Sequence, residues 1–340
     1  MFKYTEGKFL NLKLNTNASL LNENSCHAIL SGGVKTVVFS ADAADAKLYS
    51  KLRVNGDLKK VLKKEKVSCN MTKNQYYNVV NSIKKYINAG DIIQAVPSLR
   101  FQKKFIQTPF SLYRSLRKLN PSPFLFILNF QNFSLVGSSP EILVRLKEDN
   151  ITIRPIAGTR KRGKNEIEDK RLAKDLLSDP KEIAEHLMLL DLGRNDVGRV
   201  SVKNSVKVTE KMIIENYSHV MHIVSNVIGK LNKKYHPLDV LAAGFPAGTV
   251  TGAPKIRAME IINEVENFSR SFYAGGVGYF AHDGSLDTCI TLRTGLIKNK
   301  ILYVQSGGGI VADSNKFNEY DEIINKAKAV LNASDDAINF

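Results

Sequence analysis

The chain has 340 residues, 43% of them hydrophobic, which suffices for a large buried core, either as one large domain or as a domain carrying a smaller appendage. Lysine and arginine number 49 against 33 aspartates and glutamates, a net charge of +16, so an anionic small molecule or a nucleic acid suits the charge. No apolar run is long enough to cross a bilayer, and Met1 runs into Phe2-Lys3-Tyr4 without the apolar core of a signal peptide. Cys26, Cys69 and Cys289 are odd in number and in no C-x-x-C pattern, which sets aside a disulfide framework and a zinc site and points to the cytoplasm.

Residues 1–70 alternate short apolar runs with Asn, Ser and Lys and read as a small, partly strand-containing flank. Within it Lys59, Lys60, Lys63, Lys64 and Lys66 form one dense basic run. The other basic residues are scattered, without an aromatic-interleaved stripe, so the run reads as a solvated helix face and no nucleic-acid partner is expected. A helix is expected over Thr72–Ala89, where Thr72 can cap, Tyr76, Val79, Val80, Ile83 and Ile87 share a face, and Gly90 follows. Strands follow at Ile92–Leu99, Phe124–Phe130, Phe133–Gly137, Ile142–Leu146 and Ile151–Ile156. Helices are expected at Glu166–Leu177, Pro180–Leu190, Leu238–Ala243, Thr251–Val265 and Asn315–Leu331. Strands Ser271–Phe280, Thr288–Ile297 and Ile301–Val304 lie between the last two helices. The class is α+β, with large antiparallel sheets and helices packed outside.

Several clusters carry chemistry. In FPAGTVTGAPKIRAME, from Phe245 to Glu260, Gly248 and Gly252 free the backbone, and Thr249, Thr251 and Pro254 signal a helix start near Thr251. The amides of that start, with Lys255 and Arg257, would favour a phosphate or carboxylate. Glu182 and Glu185 share one helix face, as do Glu319 and Glu322 on the last helix. Four such carboxylates repel unless a cation sits between them, and an all-oxygen set suits Mg²⁺; two solvated faces are the alternative. Asp191–Asp196 pack charge and amide donors into a turn at a helix end. Gly307, Gly308 and Gly309 offer a nest of backbone donors, and Arg293, placed on a strand, can grip a carboxylate bidentately.

Together with PIAGTRKRG, EHLMLLDLGRND, YSHVMH and GYFAHDGSLDTCITLRTG, these blocks resemble the chorismate-binding enzymes, in order over roughly residues 75–332. The match is best to the large subunits that make anthranilate, the first step toward tryptophan. The resemblance implies two orthogonally packed antiparallel sheets with surrounding helices, and a catalytic domain over 71–335. It makes Glu185 and Glu322 direct Mg²⁺ ligands, with Glu182 and Glu319 holding the metal's waters. Tyr273, Arg293 and the Gly307–Gly309 amides would bind the enolpyruvyl carboxylate of chorismate, Gly158 and Thr159 would line the opposite side, and Thr249 would contribute a hydroxyl. His222 corresponds to the histidine of the elimination half-reaction, in preference to His219. At Ala157, relatives that make aminodeoxychorismate, isochorismate or salicylate carry a lysine. An alanine there leaves room for ammonia to attack C2, with loss of the C4 hydroxyl and then of pyruvate.

The resemblance also implies a separate glutamine amidotransferase subunit that delivers ammonia within a hetero-oligomer. The tryptophan-feedback element is only half legible: Asn120–Pro123 fits, whereas Ser19–Glu23 does not. The alternatives are an aminodeoxychorismate synthase and a catalytically degenerate basic binding protein.

Overall fold

The computed structural model describes residues 12–16, 34–39, 66–217 and 220–340. The chain divides into two units between Lys66 and Val67. In the first, β1 (Leu12–Thr16) pairs in parallel with β2 (Val34–Phe39). Ser19–Glu23, Cys26 and the basic run up to Glu65 lie outside the described residues, as does His219.

The second unit is built on two antiparallel sheets. One has six strands: β3 (Ser68–Cys69), β5 (Ser98–Lys104), β6 (Phe124–Asn129), β7 (Ser134–Ser139), β16 (Thr294–Lys298) and β17 (Ile301–Gly307), in the order β3-β5-β17-β16-β7-β6. The other has seven: β8 (Ile142–Lys147), β9 (Asn150–Ile153), β10 (Ile156–Lys161), β11 (Lys207–Asn216), β12 (Val220–Lys230), β14 (Gly276–Phe280) and β15 (Leu286–Ile290). Its order is β10-β12-β9-β8-β15-β14, with β11 on β12. A small ladder joins β4 (Gln94–Ala95) to β13 (Gly252–Ala253).

Each sheet has its own helices. The six-stranded sheet packs on α1 (Lys73–Asn88), α2 (Pro109–Leu119), α6 (Lys255–Val265) and α7 (Lys316–Asp336) through Tyr76, Ile83, Leu112, Ile261, Val304 and Val330. The seven-stranded sheet packs on α4 (Pro180–Gly198) and α5 (Pro237–Gly244) through Val144, Ile151, Leu190, Val197 and Val240, while α3 (Glu166–Ser178) seats Leu176 on Met221 and Ile223 of β12. The cap expected at Thr72 is a full capping box: its amide donates to Gln75 Oε1 at 2.8 Å and its Oγ1 accepts from the Gln75 amide at 3.3 Å. Among the described residues no helix is long and apolar enough to cross a membrane.

The chain passes between the two sheets side by side with itself. Pro140-Glu141 links β7 to β8, and Thr291-Leu292-Arg293 links β15 to β16. The two links are tied together by hydrogen bonds from the Ile290 amide to Glu141 O (3.1 Å) and from the Ser138 amide to Arg293 O (3.2 Å). This doubled bend corrects the expected strand Thr288–Ile297. Arg293 is not on a strand but in the link, with φ at 47°, a left-handed conformation that a non-glycine residue keeps only when its surroundings impose it.

Other boundaries also moved. Helix α4 continues through Asp191–Asp196, so that segment is helix rather than turn. Tyr273 precedes β14 in a turn instead of lying on it. Helix α6 starts at Lys255, behind a 3₁₀ turn at Gly248–Val250 and the short β13.

Candidate active site

A cleft of about 840 Å³ is lined by residues of both sheets and of α4 and α7. All four acidic residues of the two pairs reach it, as do Ala157, Gly158, Thr159, His222, Thr249, Tyr273, Arg293, Gly307 and Gly309. Of the residues expected to meet the metal or chorismate, Gly308 is absent from the lining. Its amide donates to Pro97 O at 3.2 Å, and the Gly307 amide is engaged by the Tyr273 hydroxyl, so the glycine nest is smaller than three consecutive glycines suggest.

The acidic pairs stand on opposed helices because each helix keeps one apolar face for its core. Helix α7 buries Ile323, Ala327 and Val330, and α4 buries His186, Leu189 and Leu190, which leaves Glu319, Glu322, Glu182 and Glu185 toward the cleft. Each carboxylate has its own partner. Glu182 accepts from Arg160 at 3.0 Å, and that guanidinium also holds Asp175 and Asp179, the N-cap of α4. Glu185 accepts from Gln94 Nε2 at 3.1 Å, Ser314 beside Glu319 partly offsets the cost of burying it, and Glu322 pairs with Lys326 at 2.7 Å. So divided, no three such side chains converge as a ready-made metal centre among the described residues.

The chemistry of the set nevertheless fits a hard divalent cation, since it is all carboxylate oxygen. Burial raises the pKa of both Glu185 and Glu319; Glu322 raises both further and Glu182 adds to the rise at Glu185, as expected of acids gathered with too little positive charge. The glycines follow from the same crowding. A Cβ on Gly309 would stand 2.4 Å from Gln94 Nε2, and one on Gly158 would stand 3.0 Å from Ile223 and 3.2 Å from Glu182 Oε2.

On the facing wall, β10 pairs with β12 through an irregularity between Ala157 and Thr159, where Gly158 takes φ +78°. This bulge sets Ala157 at the cleft, 9% exposed and paired with Ile223 of β12, while Thr159 pairs with His222. Nδ1 of His222 lies 3.1 Å from Gly158 O and 3.0 Å from Thr159 Oγ1. A carbonyl only accepts, so Nδ1 carries the proton and Nε2 keeps a lone pair. Burial, with Arg293 and Lys326 nearby, lowers the histidine's pKa and keeps it neutral. Neither strand had been foreseen around His222, since β11 and β12 were not read from the sequence.

Sequence reasoning also missed Glu141, at the sheet-to-sheet link. It is 7% exposed, and burial pushes its carboxyl up to about 8, against the weaker opposing effects of Thr249, Lys326 and Arg293. The Thr249 hydroxyl is close but buried without a hydrogen bond of ordinary geometry. The available signal was an acid directly after Ser138-Ser139-Pro140, in a two-residue link between two apolar strands. Arg293 and Tyr273 complete this end. Burial lowers the arginine's pKa, with Tyr217 and Glu141 as its compensating neighbours, and burial pushes the Tyr273 phenol up to about 12.

The anion site expected around the helix start near Thr251 is corrected. Lys255 is spent on Asp196, a buried ion pair at 2.9 Å, and Arg257 on Asp91 and Glu260, so neither serves the cleft. From that stretch only Thr249 and Val250 line it.

A cleft of opposed carboxylates between two antiparallel sheets defines a recognised class: the sequence profile of the chorismate binding enzyme family matches residues 26–332, and the chain belongs to that family. Among its relatives are two proteins named anthranilate synthase component 1. That of Cereibacter sphaeroides is 60% identical over 268 residues, 79% of this chain and 54% of the relative; that of Aquifex aeolicus is 56% identical over 264 residues, 78% and 53%. The chain thus spans about half the length of these curated relatives. The crystal structure of anthranilate synthase component I from Streptococcus pneumoniae superposes with a TM-score of 0.75 at 45% identity, covering 79% of this chain and 60% of that one. The menaquinone-specific isochorismate synthase of Escherichia coli shares the fold, with a TM-score of 0.70 at 22% identity over 80% of this chain and 63% of that one.

Proposed function

We propose that the cleft converts chorismate to anthranilate, with ammonia as nucleophile, and that the chain acts as an anthranilate synthase large subunit. The observation that carries this is the meeting, in one cleft, of both acidic pairs, Arg293, Tyr273 and His222 with an alanine at position 157. Glu185 and Glu322 would hold Mg²⁺ most directly, with Glu182 and Glu319 behind them. Bound there, the metal would supply Lewis-acid polarisation and a counter-charge for a substrate carboxylate.

The chain's own groups divide the remaining work. Arg293 meets the enolpyruvyl carboxylate with a fork already desolvated, so binding costs it little further hydration. Glu141 is neutral near pH 7 and can donate its proton to the departing C4 hydroxyl, while Thr249 stands beside it to orient that oxygen. Ammonia attacks C2 next to Ala157, where no amine competes. In the second half, Nε2 of His222 takes the C2 proton as pyruvate leaves and the ring becomes aromatic. The amidotransferase reading belongs to the same proposal: a separate component would supply ammonia at neutral pH. The role is a cytoplasmic one in tryptophan biosynthesis.

The test is incubation of the purified chain with chorismate, Mg²⁺ and ammonium. Fluorescent anthranilate is expected, and Glu185→Gln or Glu322→Gln should abolish it. Accumulation of 4-amino-4-deoxychorismate would reverse the assignment, and glutamine-dependent turnover by the chain alone would remove the need for a partner.

A further inference from the structure

Lys326 stands among the acids of the cleft with no part in the scheme above. It lies one helical turn beyond Glu322 on α7, with Nζ 2.7 Å from Glu322 Oε1 and 3.2 Å from the carbonyl oxygen of Gly307. Both side chains are about half exposed and line the cleft. The ammonium also acts electrostatically on Glu185, Glu319, Glu141 and His222, groups from several elements around the cleft. Arg160 is differently placed, forked among Asp175, Asp179 and Glu182 at the N-terminus of α4.

We propose that Lys326 is a tethered counter-cation that holds Glu322 until a divalent metal displaces it, so that metal binding and anion binding in the cleft are coupled through this one side chain. The inference rests on reading Glu185 and Glu322 as metal ligands. A carboxylate oxygen held at hydrogen-bond distance by an ammonium cannot give its lone pairs fully to a metal, and two cations at one carboxylate repel. Metal entry therefore pushes Nζ away from Glu322. The Gly307 carbonyl keeps it at the cleft wall, where its charge turns to any anion sharing the cavity. Binding of metal then favours binding of an anionic ligand, and by linkage the anion favours the metal equally.

Mn²⁺ titration of the full chain, followed by electron paramagnetic resonance in the absence and presence of chorismate without ammonium, tests this. Lys326→Gln should bind Mn²⁺ alone roughly three- to tenfold more tightly than the wild type, because an exposed pair and one repulsive charge are removed. The gain in Mn²⁺ affinity caused by chorismate should shrink in that variant, while Lys326→Arg keeps wild-type values. Unchanged or weaker Mn²⁺ binding by Lys326→Gln overturns the proposal and leaves the metal reading intact. Absence of Mn²⁺ binding by the wild type overturns both. A measurement on the unmutated chain guards against misfolded variants: acetylation of Lys326, read by mass spectrometry, should increase when Mg²⁺ is added, and an unchanged rate also overturns the proposal.

Discussion

Replacing Glu141 by Gln should make the protein more stable and less active at once, because the same buried carboxyl is costly to the fold and useful to the chemistry. Its pKa rises from 4.5 to about 8 on folding. Between those values the folded chain keeps a proton that the unfolded chain releases, so stability falls as pH rises through the window. At about 1.4 kcal/mol per pH unit, the cost is near zero at pH 4, about 3 kcal/mol at pH 7, and levels off at about 5 kcal/mol above pH 8. Glutamine has nearly the same shape and no proton to hold, so the variant lacks this slope. Urea unfolding of both proteins at pH 4.5, 6, 7 and 8 reads the difference. The variant's advantage should grow with pH by about this amount, whatever fixed offset the amide introduces. Anthranilate formation should fall about 10²- to 10⁴-fold with the proton donor gone. Parallel stability curves, or activity within threefold of wild type, would refute the assignment of a neutral buried acid.

Three further outcomes follow from other contacts. His186 is fully buried with Nε2 2.7 Å from Ser225 Oγ, and burial holds its pKa down to about 4. The unfolded chain therefore takes up a proton first, and stability should decline as pH falls from about 6.5 toward 4, by up to about 1.4 kcal/mol per pH unit. His186→Gln should flatten that acid limb in pH-dependent unfolding; an unchanged slope would contradict the reading. Gly309→Ala places a methyl 2.4 Å from Gln94 Nε2 and should push that amide off Glu185, weakening Mg²⁺ binding about tenfold by calorimetry. Wild-type affinity in that variant would show that Gln94 does not orient the carboxylate. Ala157→Lys puts a long amine where the nucleophile would approach, and kcat/KM with ammonium should drop at least about tenfold; no loss would mean that ammonia enters elsewhere.

Much of the site was legible because its spacing is local. Glu182 with Glu185, and Glu319 with Glu322, share helix faces by arithmetic alone, and the apolar residues between them predict which face is buried. Helix α1 was readable for the same reason, from Thr72 to the face of Tyr76, Val80 and Ile83. Helix α2 was missed although Thr108 caps it and Pro109 opens it. Strands β11 and β12 were missed too: β12 breaks its apolar pattern with His222, Ser225 and Asn226, and β11 mixes charge with Ile213 and Ile214. Lys255 and Arg257 looked free for an anion only because Asp196 and Asp91, 59 and 166 residues away along the chain, could not be seen from the local sequence.

The sequence alone determined the α+β class, the family and the two acidic pairs, each a matter of short-range periodicity or of motif order. Tertiary structure decided the rest. Glu141 and Arg293 lie about 150 residues apart in the chain and become neighbours only because two links between the same pair of sheets run side by side. That doubled bend buries Glu141 and partly buries Arg293, raising the acid's pKa and lowering the arginine's. Burial and long-range pairing are properties of the packed chain, and no residue pattern within either link encodes them.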